Sequence, residues 1–305
     1  MRTIKKVASH IFIDGFGGMT QGLFATLIIG TMIQQIGLLI GGSTGNVIYL
    51  LGKAAAALTS AGIGVGVAVK YGESPLVTVS AAVAAMVGGY AGKITGGTFF
   101  VDGNAVLAGP GEPLGAFIAA FAGITCGHLV SGKTKVDIIV TPVITIGAGS
   151  VVGLLVGPPI SQMMTGLGSI INWATEQRPF IMGIVVSVVM GMVLTLPISS
   201  AALGIILNLS GLAAGAATIG CCCNMVGFAV ASYRENKFGG LVAQGLGTSM
   251  LQVPNIMRHP LIWLPVIFSS AILGPVSTIL ANMQNNATGS GMGSAGLVGQ
   301  ITTYQ

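Results

Sequence analysis

Apolar runs long enough to cross a bilayer recur along this 305-residue chain, and the charged residues fall mostly between them. A spanning helix needs ~20 consecutive, mostly apolar residues. Only helices and closed barrels satisfy every backbone polar group inside lipid. The pattern therefore points to an all-α, polytopic membrane protein. Charged residues are 6 % of the chain, against ~25 % in soluble domains. Mean hydropathy is +0.90, more apolar surface than a soluble fold of this length could hide. The 49 glycines fit the same class, since small residues at spacings such as Gly62, Gly66 and Gly88, Gly92 let helices approach closely.

Ten spans are predicted, near 16–40, 46–69, 75–92, 113–131, 138–160, 179–198, 199–215, 216–233, 239–256 and 260–283. Ser199–Lys237 is too long for one span and short for two. A break at Gly211–Gly215 or a re-entrant hairpin from Leu203 fits equally well, and an eight-span arrangement with re-entrant hairpins stays open. By the positive-inside rule, Arg2, Lys5 and Lys6 place the N-terminus in the cytoplasm. Alternating spans put Lys70, Lys133, Lys135, Arg234 and Lys237 on that same side, and Lys93, Arg178 and Arg258 outside. The expected organisation is an N-terminal transmembrane half (1–160), an external interfacial helix (161–178) anchored by Trp173, a C-terminal transmembrane half (179–284) and a Gly/Ser/Asn-rich tail (285–305). The tail is expected to be loose or partly packed in a vestibule. Thr141-Pro-Val-Ile with Gly157-Pro158 echoes Leu264-Pro-Val-Ile with Gly274-Pro275 in spans that run oppositely, as an inverted repeat would.

Polar residues between or within apolar runs are the site candidates. Val101–Gly115 holds Asp102 and Glu112, two of seven acidic residues, together with Asn104. Carboxylates and loop-forming Gly and Pro belong at membrane depth only where they line a cavity or are buried. Thr98–Leu114 is expected to form a re-entrant hairpin hinged by Gly103, Gly109, Gly111, Pro110 and Pro113, leading into the fourth span. The alternative is an ordinary external loop. His128, near the cytoplasmic end of that span, could bind a hydroxyl, shuttle a proton or face headgroups. Asn208, Asn224 and Gln244 lie in apolar runs and need partners, as helix glue or as ligand contacts. Trp173 and Trp263 fall near predicted interfaces. Arg258 and His259 head the last span, where headgroup contact is expected.

Several chemistries are excluded. Basic residues are scattered singly with no aromatic interleaving, which argues against nucleic acid. There is no phosphate-cradling Gly-Lys-Ser/Thr loop and no His-Glu-x-x-His, and Cys and His do not cluster at metal spacing. No cofactor, metal or catalytic set is expected. Cys126 and Cys221, Cys222, Cys223 are read as small packing residues.

The segment Asp14–Thr31, Gly109-Pro-Gly-Glu-Pro-Leu-Gly115 and Pro275 with its flanks resemble the membrane IIC component of bacterial phosphotransferase-system sugar permeases. They are most similar to the stand-alone branch that includes the perfringolysin O regulator. The resemblance implies ten spans, a homodimer through the N-terminal half, and a site of re-entrant hairpins where a Glu and a His contact sugar hydroxyls. Glu112 and His128 match those two by residue type. It also implies a separate IIB protein that carries out any phosphorylation. Two functions stay open. One is a permease for a small sugar or polyol, held by Asp102, Asn104 and Glu112. The other is a non-transporting sensor or regulator that binds a small molecule or lipid and couples to a protein partner. The sparse polar set and few aromatics slightly favour a ligand with a large apolar part.

Overall fold

The computed structural model describes residues 14–107, 109, 111–175, 178–196, 200, 203–204, 207 and 209–304. Almost all of the described chain is helical, which bears out the all-α, polytopic class. It divides into two units, Met1–Gln162 and Met163–Gln305.

In the first unit, α1 (Phe16–Ile40) contains a π-helical turn at Phe24–Ile28. It pairs with α2 (Gly42–Ala57) and α3 (Thr59–Lys70), two apolar helices that meet at a 54° bend. Glycines set the distance between them. A Cβ on Gly22 would lie 2.2 Å from the Gly62 carbonyl oxygen, and one on Gly66 would lie 2.3 Å from that of Gly18. The expected Gly62/Gly66 contact is therefore a backbone-on-backbone approach that no larger residue permits. The chain then turns into α4 (Pro75–Gly89), which opens with Pro75 and a Ser74 cap on the Val77 N–H. A short α5 (Ala91–Thr95) leads to a two-stranded antiparallel hairpin, β1 (Phe100–Val101) and β2 (Asn104–Ala105).

Helix α6 (Pro113–Val130) runs back along α4, and α7 (Asp137–Thr175) lies on both. Built Cβ atoms on Gly149, Gly153 and Gly157, on one face of α7, would meet Ala84, Gly88 and Ala91 at 2.6, 2.9 and 2.4 Å. Residues 161–175, expected as a separate interfacial helix, continue α7 without interruption.

In the second unit, α8 (Pro179–Thr195) and α9 (Gly211–Ala231) run parallel, with Ser187 opposite Gly220 and Thr195 opposite Asn224. Helix α12 (Pro260–Leu280) runs antiparallel to both. Gly183 meets Gly274, and the Thr278 hydroxyl donates to the Pro179 carbonyl at 3.1 Å. Between α9 and α12 come α10 (Tyr233–Val242), a π-helical turn (Ala243–Gly247), a 3-10 turn (Ser249–Gln252) and α11 (Val253–Arg258). The span expected at 239–256 is therefore replaced by a re-entrant segment. Its physical cause is the density of Gly239, Gly240, Gly245, Gly247 and Pro254, with a backbone reversal at Lys237 (φ +53°). Because α9 and α12 run oppositely, Arg258 returns to the end that holds Arg234 and Lys237, not to the opposite face as the sequence count had it.

In all, five described helices are long and apolar enough to cross a bilayer, or six with the bent pair, beside the shorter apolar α4 and α8. That is fewer than ten. The expected span 199–215 lies largely outside the described residues. The tail is packed mainly over residues 289–299, whereas Tyr304 is exposed. Asn285 bridges to Gly211, and Ser290, Met292, Ala295 and Val298 are buried between α13 (Ala287–Ser290) and α14 (Val298–Tyr304).

Candidate functional site

Each unit gathers polar groups where its helices break. In the first, the break between α2 and α3, the end of α4 and the loop entering α6 meet. The Glu112 N–H donates to the Gly89 carbonyl at 2.7 Å, and the Tyr90 hydroxyl donates to the Gly109 carbonyl and, at 3.4 Å, to the Ala57 carbonyl. Gly111 is required there. Its φ is +76°, and a Cβ would lie 2.4 Å from Ser60 Oγ. Glu112 caps α6, its carboxylate accepting from the Leu114 N–H at 3.4 Å. Burial pushes this carboxyl up to about 7, the Leu114 hydrogen bond opposing the shift in part.

The rest of the predicted polar island behaves differently. Asp102 (φ +50°) and Gly103 (φ +76°) are the two central residues of the β1–β2 turn, the Asp-Gly pair that such a two-residue hairpin favours. Asp102 and Asn104 are exposed at this tip, and Asn104 Nδ2 donates to the Asp102 carbonyl at 3.3 Å. So the segment is a β-hairpin followed by a docked loop, and only Glu112 of the three polar residues is part of the buried junction. Helix α4 has 15 residues, about 22 Å, which is short of a ~30 Å hydrocarbon core.

His128 sits at the other end of α6, sixteen residues from Glu112 and hence about 24 Å away along the helix. One sugar cannot touch both. His128 Nδ1 instead lies 3.0 Å from the Glu73 carboxylate, with Ser74 and Ser131 hydroxyls 2.9 Å apart beside it.

In the second unit, Asn224 is fully buried and joins α8, α9 and α12, with Thr195 linking it to Ser249 of the re-entrant segment. Its Oδ1 accepts from Thr195 Oγ1 and Trp263 Nε1, both at 3.2 Å. Its Nδ2 donates to the Gly220 carbonyl at 3.1 Å and Ser270 Oγ at 3.2 Å. Thr195 and Ser249 hydroxyls are 2.9 Å apart, and Ser187 Oγ donates to the Ser270 carbonyl at 2.7 Å. From the opposite end of α9 the tail arrives. Ser294 Oγ donates to the Gly245 carbonyl and Ser200 Oγ to the Gly291 carbonyl, each at 2.6 Å. Two irregular backbone elements thus meet tip to tip beside the middle of α9.

Gln244, buried, donates to Ser232 Oγ at 2.8 Å and accepts from Gln252 Nε2 at 2.8 Å, and Gln252 Oε1 accepts from Asn255 Nδ2 at 2.8 Å. Asn208 lies outside the described residues. Among the described residues no group of three or more His, Cys, Asp or Glu side chains could hold a metal. Cys221 is buried and faces the Met190 and Ser290 carbonyls at 3.6 and 3.7 Å, as a packing residue.

Sequence reasoning missed the partners: Tyr90 and Ser60 around Glu112, and Thr195, Ser249, Ser270 and Trp263 around Asn224. Hydroxyls in apolar helices carry little signal individually, because each can bond its own backbone. Trp263, expected near an interface, is half-buried and spends its N–H on Asn224.

The chain was also compared with known proteins. No curated protein matches it. The family model described as "Phosphotransferase system, EIIC" matches residues 13–305. That match takes in both units and both polar junctions, and the chain belongs to the phosphotransferase-system EIIC family of membrane components.

Proposed function

We propose that this protein binds a small sugar or polyol and translocates it across the bacterial cell membrane, and that a separate IIB protein phosphorylates it. The observation that carries the reading is the meeting of the 243–249 segment and the 291–294 tail beside Asn224. Irregular backbone at membrane depth is tolerated where it lines or closes a pathway, and transporter sites form at such breaks. The groups that converge there are neutral amides and hydroxyls, which match a neutral polyhydroxylated substrate. In this reading Asn224 stands at the translocation site and Gln244 holds the re-entrant segment in place. Glu112 belongs to the hinge of the first unit, while Asp102, Asn104 and His128 contact solvent-side or headgroup-side ligands.

The cytoplasmic face is assigned to the end of the second unit with Arg234, Lys237 and Arg258, and the N-terminus to the cytoplasm, by the positive-inside rule. A homodimer through the N-terminal half is part of this proposal, as the resemblance to IIC permeases implies. The regulator reading has one observation in its favour. A groove of about 410 Å³ on α12, lined by Phe180, Ile272, Pro275 and Ile279 among others, would suit an acyl chain.

The test is binding of tritiated hexoses, hexitols and N-acetylhexosamines to the purified protein. Saturable binding of one of them, weakened at least tenfold by Asn224→Leu, is expected. Saturable binding of a fatty acid with none of any sugar would defeat the reading.

A further inference from the structure

One helical turn beyond Asn224, at the end of the second unit that carries Arg234 and Arg258, a cavity of about 380 Å³ opens. Its size is within the ~300–1,000 Å³ of small-molecule sites. Ser232, Glu235, Asn236, Gln252, Asn255 and His259 supply its polar wall, and Phe228 and Ile262 its apolar one. The two other cavities described on this unit are walled almost wholly by apolar side chains, one of α8 and α12 and the other of α9 and α12.

Three features define what this cavity would hold. The first is preorganisation. Asn255, Gln252, Gln244 and Ser232 are linked by successive 2.8 Å hydrogen bonds. Gln252 is only 5 % exposed, so the wall is held in place before a ligand arrives. The second is charge. No Lys or Arg is among the lining residues, whereas the Glu235 carboxylate is. A phosphate would meet that carboxylate with no lining Lys or Arg to offset it and only the His259 imidazole beside it, while hydroxyls can donate to the carboxylate and both donate to and accept from the amides. The third is separation. Phe228, Ile256 and Val266 form an apolar layer with Trp263 packed against it. Phe228 is 2 % exposed, and Trp263 reaches from this layer to Asn224.

We propose that this cavity is a second binding site for a neutral polyhydroxylated molecule, distinct from the Asn224 cluster and divided from it by the Phe228 layer. The proposal rests on the permease reading only for the class of ligand. The site would hold the molecule at the membrane face, where it waits on one side of the apolar layer.

The test uses the full chain with Trp173→Phe, so that Trp263 alone reports. Tritiated glucose and mannitol are titrated with emission followed in parallel, and glucose 6-phosphate serves as the anionic probe. The expected result is two sites per chain for a neutral probe. Glu235→Gln and, separately, Asn255→Ala weaken one of them about tenfold, as loss of a hydrogen bond to a charged or preorganised group would. The other site responds to Asn224→Leu only. Two variants are used so that a folding defect in one, seen by size-exclusion chromatography, leaves the other to decide. One site per chain, unaffected by both pocket variants and lost in Asn224→Leu, overturns the second site and leaves the permease reading intact. Preferential binding of glucose 6-phosphate at the pocket overturns the ligand class. No saturable binding of any sugar defeats both.

Discussion

Replacing Asn224 with leucine removes the centre of the second unit's polar junction while keeping the same number of side-chain heavy atoms. Four side-chain hydrogen bonds are lost, two accepted by Oδ1 and two donated by Nδ2. Side-chain hydrogen bonds inside membrane proteins average ~0.6 kcal/mol each, so their combined loss is about 2.4 kcal/mol. The partners are not equally affected. Thr195 keeps the Gly191 carbonyl and Ser249, and Ser270 keeps the Val266 carbonyl. Trp263 Nε1 is a donor with Asn224 as its described acceptor, and an orphaned buried donor costs ~1–3 kcal/mol. Counting the Trp263 bond once, as the orphaned donor, a total destabilisation of about 3–5 kcal/mol follows. At ~2–4 °C per kcal/mol for a unit of this size, the midpoint falls by about 6–20 °C. Thermal unfolding of the detergent-purified Trp173→Phe protein, with and without Asn224→Leu, measures it through Trp263 emission, which should also shift as its N–H loses a partner. Asn224→Asp should be at least as damaging, because it turns two donated bonds into an acceptor facing the Gly220 carbonyl. An unchanged midpoint together with unchanged Trp263 emission would refute the account of Asn224 as the tie between helices and re-entrant segment.

Three further outcomes are expected. Glu112 has its pKa raised from 4.5 to about 7, so the folded state favours the protonated form. Its contribution to stability is full below pH ~4.5 and declines as pH rises towards ~7, by up to about 3 kcal/mol. Melting curves at pH 5 and pH 8 should show Glu112→Gln removing much of that slope and stabilising the protein at pH 8. Gly111→Ala should cost more than Gly109→Ala. Both glycines have φ near +80°, worth ~1–2 kcal/mol each, but only at Gly111 does a Cβ meet a neighbour. Comparing the two midpoints checks this, and equal losses would mean the loop does not dock on Ser60. Finally, cysteines placed at Asn236 and Asn255, in a background without native cysteines, should react with a membrane-impermeant maleimide from the same side of the membrane. Labelling from opposite sides would restore a full span at 239–256.

The sequence by itself determined the class and much of the architecture. Long continuous apolar runs separated by single charges point to membrane helices, since the other structure that satisfies the backbone in lipid, a closed barrel, alternates apolar and polar residues. The spans expected at 16–40, 113–131 and 138–160 correspond to α1, α6 and the first part of α7. Glycines at spacings of four pointed to close helix crossings, and Gly62 on Gly22 is one. The marked island at Val101–Gly115 did contain a buried carboxylate in Glu112, because Gly and Pro beside a helix start are local signals.

What only the tertiary structure decided is which polar groups share a place. Asp102 and Glu112 are ten residues apart, yet one closes an exposed hairpin turn and the other caps a buried helix. Glu112 and His128 share a helix and sit at its opposite ends. Thr195, Asn224, Ser249, Trp263 and Ser294 are scattered over a hundred residues and meet beside one helix. Hydropathy also counted 239–256 as a crossing, because a re-entrant segment is as apolar as a span. Its direction is set by glycine and proline breaks and by the antiparallel packing of α12 on α8 and α9. Local chemistry dictates that a segment lies in the membrane, whereas only the packing of helices distant in sequence dictates whether it crosses and what it meets there.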